Sequence, residues 1–246
     1  MEEQETQIDT ADGRMDIFIA YPHKDRSFPV VLFYMDAPGI REELRDMARR
    51  IAAEGYFVML PNLYYRDVQT ASAAYAAMPA DQRITFARRI NNRLVMQDTG
   101  AMLNSLETHP CADEAMVGAV GFCMSGAFVL VAAGSYPACV KCAASIYGVN
   151  LVTEGDDSPH LLADRVAAEL YFACAEHDDY VPDGVIDKLE AHLDEAATNY
   201  RLDWYPGTRH GFVFPGRAGA YDETSAECVW ERLFDLFDRN LRPPAT

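Results

Sequence analysis

Short apolar runs rich in β-branched and aromatic residues recur along the chain, mostly separated by helical patterns, and this alternation constrains the fold most strongly. The runs predict strands at 15–22, 28–35, 57–61, 116–121, 141–148, 168–175 and 200–206. Helical spacing predicts helices at 41–56, about 125–134, 183–198 and 222–241, with a longer polar helical region from about 70 to 108. Continuous apolar strands followed by helices indicate a mostly parallel sheet with helices on both faces.

Length and composition fit one large α/β domain. The chain has 246 residues, of which 50% are hydrophobic and 24% are charged. Folds of this class commonly stay undivided at such a length. We therefore predict a single α/β domain over residues 1–246. The least core-like stretch, residues 64–83, is expected to form a surface helical excursion near the ligand side.

The charge balance limits the classes of partner. Lys and Arg number 21 against 38 Asp and Glu, so the net charge is −17. Nucleic acids and anionic membranes repel such a surface, and neither is expected to bind. No apolar run reaches the 18 residues that predict a membrane span. The N-terminal stretch 1–14 is acidic and polar, unlike a secretory signal, so we expect a cytoplasmic protein.

The six cysteines are expected to be reduced and mostly buried as small hydrophobic side chains. Cys139 and Cys142 have the spacing of a redox or metal motif. They lack a second pair or a nearby histidine, and an apolar run follows them. Core packing is therefore the favoured interpretation.

Reactive residues follow three of the predicted strands. Cys123 follows the strand at 116–121, Asp178 follows 168–175 and His210 follows 200–206. Ligands bind at the carboxyl ends of strands in such sheets. A nucleophile, an acid and a base in that chain order match the triad order of α/β-hydrolases.

Two residues compete for the role of nucleophile in the segment GFCMSG at 121–126. Small residues flank both Cys123 and Ser125, as a tight strand-to-helix bend requires. Strand register favours Cys123, because it lies at the bend, whereas Ser125 falls in the first turn of the helix. A helix N-terminus favours a thiolate there, and His210 is a suitable proton acceptor.

The acid belongs to the segment EHDDYVP at 176–182, where Glu176, His177 and Asp179 compete with Asp178. The same residue types are metal ligands. Adjacent residues in one loop point in different directions, however, and no second ligand cluster is present in the sequence. We therefore predict no metal site, and an acid that orients the imidazole of His210.

These motifs together resemble the dienelactone hydrolase family of α/β-hydrolases over essentially the whole chain. The matching segments are GFCMSG, GYFVMLPNLYYR at 55–66, SIYG at 145–148, EHDDYVP and RHGF at 209–212. The resemblance implies an α/β-hydrolase fold without a large lid domain, and a Cys-Asp-His triad on Cys123, Asp178 and His210. It also implies no metal or cofactor, and oxyanion donors at the backbone amides of Met124 and Ala37.

The resemblance also nominates Asp36, Tyr147 and Arg83 as residues of the substrate pocket or partners of the resting nucleophile. A carboxylate at Asp36 would disfavour the thiolate of a neighbouring cysteine. The alternative is a solvated loop aspartate. The family's substrate-binding arginines have no clear counterpart, although Arg83, Arg88 and Arg89 lie in the right region, and Phe214 stands where a second arginine is expected.

Three functions follow from these residues. The first is a cysteine-dependent hydrolase of small lactones or activated enol or aryl esters, because a thiolate expels good leaving groups most readily. The second is the same triad acting on another electrophile, such as a phosphotriester, or transferring a group. The third is a non-catalytic binding protein on a hydrolase scaffold. The expected partner is a small ester or lactone, and the expected state is a monomer or small homo-oligomer.

Overall fold

The computed structural model describes residues 1–70, 75 and 77–242, and the chain divides into two compact units, Met1–Val117 and Gly118–Thr246. The α/β architecture predicted from the sequence is confirmed. The cores of both units consist of the apolar strands and the helix faces that cover them.

The first unit contains four strands in the order β1-β2-β4-β3. Its elements are β1 (Glu2–Thr10), β2 (Gly13–Tyr21), β3 (Phe28–Tyr34), α1 (Glu42–Ala53), β4 (Phe57–Pro61), α2 (Ala80–Ile84), a 3₁₀ helix (Thr85–Arg89) and α3 (Asn92–Leu106). Strands β3 and β4 are parallel, whereas β2 is antiparallel to both β1 and β4. Helix α1 buries its apolar face, as predicted, at Leu44, Met47, Ala48 and Ile51.

Strand β1 was not predicted, and its polarity explains why. The segment contains Ile8 as its one large aliphatic residue, and most of its side chains are exposed or half-buried. Backbone pairing with β2, from Glu2 opposite Tyr21 to Thr10 opposite Gly13, defines this strand instead. Backbone pairing within this hairpin leaves no apolar pattern in the sequence of β1.

The polar helical region predicted for about 70–108 is interrupted. Ile90 is extended at the end of the 3₁₀ helix, and Asn91 caps α3 by accepting a hydrogen bond from the Leu94 amide at 3.0 Å. The cap starts a new helix, so the region is not one continuous helix. Five residues of the predicted excursion at 64–83, namely 71–74 and 76, lie outside the described residues.

Strand β5 (Ala112–Phe122) crosses the boundary between the units and leads into the second. The further elements are α4 (Ser125–Ser135), β6 (Val140–Ile146), a 3₁₀ helix (Pro159–Arg165), β7 (Glu169–His177), α5 (Val185–Glu195), β8 (Tyr200–Arg209) and α6 (Glu223–Leu241). Strands β6, β7 and β8 are parallel neighbours. Their carboxyl ends therefore lie at one edge.

The bend between β5 and α4 depends on the absence of a side chain at Gly121. A Cβ atom there would overlap the backbone carbonyl of Ser125 and come within 3.0 Å of a Val129 methyl group. We expect Gly121→Ala to lower the free energy of unfolding by about 1–3 kcal/mol, the usual cost of overpacking. Denaturant titration measures this loss.

The matched control is Gly155→Ala, where the added methyl group meets the movable side chain of Asp157 at 3.0 Å. We expect a change within about 0.5 kcal/mol for this surface substitution. An equal effect of both variants would contradict the assigned role of Gly121.

Candidate active site

Cys123 occupies the bend between β5 and α4. It is the first residue after β5, and its φ of 56° lies in the left-handed region that non-glycine residues seldom adopt. Three backbone hydrogen bonds support this conformation. The Cys123 amide donates to the Ile146 carbonyl at 3.0 Å, and the Cys123 carbonyl accepts from the amides of Gly126 and Val149, both at 3.1 Å. A strained residue held this firmly is typical of a functional site.

Ser125 is placed differently. It is the first residue of α4, and it is fully buried. The strand register predicted from the sequence is therefore correct: the cysteine is at the bend and the serine is in the helix.

His210 and Asp178 form a buried pair. Each residue directly follows the end of a parallel strand, β8 and β7 respectively. The Nδ1 atom of His210 lies 2.8 Å from Oδ2 of Asp178, and their side chains are 6% and 7% exposed. A carboxylate at this position selects the tautomer with the proton on Nδ1 and leaves Nε2 for chemistry.

The surroundings of His210 favour its protonated form. Burial lowers its pKa, but the hydrogen bond to Asp178 and the interaction with Cys123 outweigh burial and raise the pKa to about 9. The Nε2 atom is buried and has no hydrogen-bond partner at good geometry among the described residues. The Cys123 side chain is thus close enough to the imidazole to contribute to its raised pKa.

The other residues of the 176–179 segment point elsewhere. Glu176 accepts a hydrogen bond from the Gly207 amide, and the side chain of His177 is more than half exposed. Asp179 is also exposed. Within the described part of the chain, no group of three or more His, Cys, Asp or Glu side chains is arranged to hold a metal ion.

Aromatic side chains surround the imidazole. The rings of Tyr147 and His210 are 5.0 Å apart, and Phe214 packs against both Tyr147 and Phe122. Sequence reasoning missed Tyr180, whose ring centroid lies 4.6 Å from that of His210. Its position two residues after Asp178 was the available signal.

Comparison with known proteins identifies the family and the relatives of this chain. The model of the dienelactone hydrolase family matches residues 15–241. The chain belongs to this family. A Synechocystis sp. protein assigned to the carboxymethylenebutenolidases is 26% identical over 228 residues, which is 92% of each chain. The Rhodococcus opacus carboxymethylenebutenolidase is 25% identical and matches 86% of this chain and 81% of its own.

Solved structures share the fold of this dienelactone hydrolase family member. The dienelactone hydrolase-like promiscuous phosphotriesterase P91 from metagenomic libraries has a TM-score of 0.79 at 22% identity, covering 98% of this chain and all of its own. The Pyrococcus horikoshii acylaminoacyl peptidase has a TM-score of 0.74 at 16% identity, and the match covers 43% of that chain. The α/β-hydrolase fold is therefore shown, and the family identifies a hydrolase of ester or lactone bonds.

Three nominated residues of this family member belong to its first unit. Asp36 is fully buried and accepts two hydrogen bonds from Arg41, at 2.5 and 3.1 Å, so the alternative of a solvated loop aspartate is wrong. The carbonyl of Ala37 accepts from the Tyr64 hydroxyl at 2.7 Å. The guanidinium of Arg83 lies over the Tyr75 ring at 5.2 Å. The roles of Asp36, Ala37 and Arg83 toward the nucleophile or the substrate stay predictions.

The remaining sequence predictions concern cysteines and membranes. All six cysteines are free. Cys111, Cys142 and Cys174 are buried, whereas Cys123 and Cys139 are half-buried and Cys228 is exposed, so the expected burial holds for three of the six. His160 lies in the second 3₁₀ helix, where it is buried and hydrogen-bonded to Ser158. None of the helices in the described ranges has the length and apolar character needed to cross a membrane.

Proposed function

We propose that the protein hydrolyses small lactones or activated aryl or enol esters through a Cys123-His210-Asp178 triad and a covalent acyl-enzyme. The observation that carries the proposal is the arrangement at three strand ends of the second unit. A cysteine occupies a strained bend, and a buried imidazole that interacts with it is oriented by a carboxylate.

The reaction begins with attack by the Cys123 thiolate on the carbonyl carbon of the ester. A bond forms between Sγ and carbon, and the carbonyl electron pair moves to oxygen. The backbone amide of Met124, the residue after the nucleophile, is the expected donor to this oxyanion in the second unit. The tetrahedral adduct collapses with cleavage of the carbon–oxygen bond, and Nε2 of His210 donates its proton to the departing oxygen.

Hydrolysis of the thioester completes the cycle. Neutral His210 accepts a proton from water at Nε2 while the water oxygen attacks the thioester carbon. Collapse of the second adduct releases the carboxylic acid and restores the thiolate beside the imidazolium. Asp178 stabilises the cationic imidazole in each protonated stage without accepting its proton.

The chemistry of the leaving group defines the substrate class. A thiolate is a weaker base than an alkoxide, so the first adduct returns to reactants unless the leaving oxygen is acidic or receives a proton efficiently. Phenyl acetate and dihydrocoumarin, an aryl ester and an aryl lactone, meet this condition.

A substrate screen tests the proposal. We expect saturable hydrolysis of phenyl acetate and dihydrocoumarin, and much slower hydrolysis of ethyl acetate and acetanilide. The fold shared with phosphotriesterase P91 makes the phosphotriester paraoxon the competing substrate. Turnover of paraoxon without turnover of phenyl acetate or dihydrocoumarin would contradict the proposal. It would favour the second candidate function, in which the same triad acts on a phosphotriester.

Activity is expected to withstand metal chelation. The proposed mechanism obtains its nucleophile from a thiol and its electrophilic assistance from backbone amides, so no step requires a metal ion. Prolonged dialysis against EDTA should leave kcat for phenyl acetate within about twofold, well below the effect of losing one oxyanion-hole donor. A loss that Zn²⁺ or Mn²⁺ restores would make His177 and Asp179 candidate ligands.

A further inference from the structure

Tyr180 combines exposure with contact to the triad. Its side chain is 68% exposed, although it is a large aromatic residue, and its ring lies against that of His210 at 4.6 Å with an interplanar angle of 53°. Tyr147, the other tyrosine that contacts His210, is buried. Tyr180 therefore presents an accessible aromatic surface beside the proposed proton donor.

The turn after β7 holds Tyr180 in this place. The backbone amide of Tyr180 donates to Oδ1 of Asp178 at 3.0 Å, while Oδ2 of the same carboxylate contacts His210. A further hydrogen bond from the Val181 amide to the Asp178 carbonyl, at 3.1 Å, closes the turn. One carboxylate thus positions both the imidazole and the backbone of the residue that carries the ring.

The role of His210 determines which part of the substrate lies nearby. A general acid has to be within about 2.6–3.2 Å of the atom that it protonates. In ester cleavage that atom is the leaving oxygen, so a substituent on this oxygen lies next to His210 and its neighbours. A large exposed aromatic ring in this position suits a flat apolar substituent, since aromatic rings pair favourably at centroid separations of about 4.5–7 Å.

We infer that Tyr180 contacts the leaving group and makes the enzyme selective for esters with an aromatic leaving group. The inference rests on the proposed function and adds a specificity residue to it. Two different properties of an aryl ester can then make it a better substrate, namely the acidity of its leaving alcohol and the ring that this alcohol carries. Acidity of the leaving alcohol acts through the chemistry of the thiolate, whereas Tyr180 recognises the ring itself.

Two acetate esters distinguish these two properties. Phenol and hexafluoroisopropanol have similar acidity, but only phenol has a ring. We expect Tyr180→Ala to lower kcat/KM for phenyl acetate by about three- to tenfold, the range set by one aromatic pair. The same substitution should change kcat/KM for hexafluoroisopropyl acetate by less than twofold. An equal fall for both esters would overturn the inference, because it would assign to Tyr180 a general role in orienting His210.

Variants at two positions provide the controls. Tyr180→Phe keeps the ring and should retain the wild-type ratio of kcat/KM for phenyl acetate to kcat/KM for hexafluoroisopropyl acetate. Tyr221→Ala removes another partly exposed tyrosine, which is 37% exposed and does not contact the His210 ring in the described part of the chain. It should leave this ratio of kcat/KM unchanged. A fall of this ratio in Tyr180→Phe to the value in Tyr180→Ala would contradict recognition of the ring, since Tyr180→Phe removes only the hydroxyl group.

Protection of Cys123 by phenol provides a test that needs no turnover. Phenol bound against Tyr180 should slow alkylation of Cys123 by iodoacetamide in the wild type and in Tyr180→Phe. The factor by which phenol slows this alkylation should be at least threefold smaller in Tyr180→Ala. If no ester is hydrolysed but this pattern is observed, the proposed function fails and the aromatic site stands. If phenol protects all three proteins equally, or none of them, the site at Tyr180 is wrong.

Discussion

Replacement of Cys123 with alanine is expected to lower kcat for phenyl acetate by about a thousandfold or more, as removal of a triad nucleophile does in hydrolases. The thiolate forms the bond that defines the reaction, and alanine has no atom to replace it. The fold should persist, because the backbone hydrogen bonds that hold the bend involve the amide and carbonyl of residue 123. Rates are compared with circular dichroism spectra and melting temperatures of the same preparations.

Ser125→Ala is the matched control, because it removes a nucleophilic atom two residues away. Ser125 is fully buried in the first turn of α4, so its loss should alter kcat far less than loss of the cysteine. An inactive Ser125→Ala together with a near wild-type Cys123→Ala would make the serine the nucleophile.

Alkylation adds an independent measurement of the same assignment. Iodoacetamide should modify Cys123 faster than Cys228, although Cys228 is exposed and Cys123 is half-buried and therefore less accessible. The reason is that the proposed mechanism uses Cys123 as the nucleophile and His210 as its proton acceptor. Equal rates at the two cysteines would contradict an activated thiol.

Asp178→Asn is expected to reduce kcat by about a hundredfold to ten-thousandfold, in line with the loss of a triad carboxylate elsewhere. The asparagine side chain keeps the size of the aspartate but no longer stabilises the imidazolium or selects its tautomer. Asp179→Asn, one residue further along the exposed part of the turn, is the control and should retain activity. Equal losses in the two variants would contradict the choice of Asp178.

The same substitution has a consequence for stability at alkaline pH. The pKa of His210 is raised from its ordinary 6.5 to about 9, so protonation favours the folded state. This contribution is fully present below pH 6.5 and is lost as the pH rises through about 9. Asp178→Asn removes a group that raises the pKa of His210, and the loss of stability between pH 6.5 and 9 should become smaller.

Urea unfolding at several pH values between 6 and 9.5 measures this difference. The comparison between wild type and variant cancels the other groups that titrate in this range. In the wild type, the alkaline decline of kcat/KM should also lie near pH 9, whereas that of the variant should move to lower pH. Superimposable profiles would show that Asp178 does not set the protonation of His210.

Local sequence patterns were sufficient to predict most elements and the position of Cys123 at the bend after β5. The apolar runs mark β2 to β7 because these strands bury many of their own side chains, and α1 buries the predicted face. Strand β8 was also predicted, although only Tyr205 and Thr208 in it are buried. Cys123 was identified by counting from the end of a strand. The choice needed only strand register and the small residues around the bend.

Local patterns do not identify which carboxylate is the partner of His210. The sequence offers Asp178 and Asp179 side by side, and the choice depends on which carboxylate faces a histidine 32 positions further along. Asp36 is similar, since its burial follows from a bidentate pair with Arg41 that composition and spacing do not reveal. Strand β1 depends on pairing with β2 and has no apolar signal of its own.

The sequence by itself therefore determined the α/β class, the order of most elements and the strand ends at which reactive residues lie. These features depend on periodicity and on residue size within a few positions, which the chain encodes locally. The family resemblance named Asp178 as the acid, but only the tertiary structure shows its contact with His210. The burial of Asp36 and the exposed ring of Tyr180 beside the imidazole were likewise decided by the tertiary structure. Each of these depends on side-chain direction and on the approach of distant or looped segments, which periodicity does not specify.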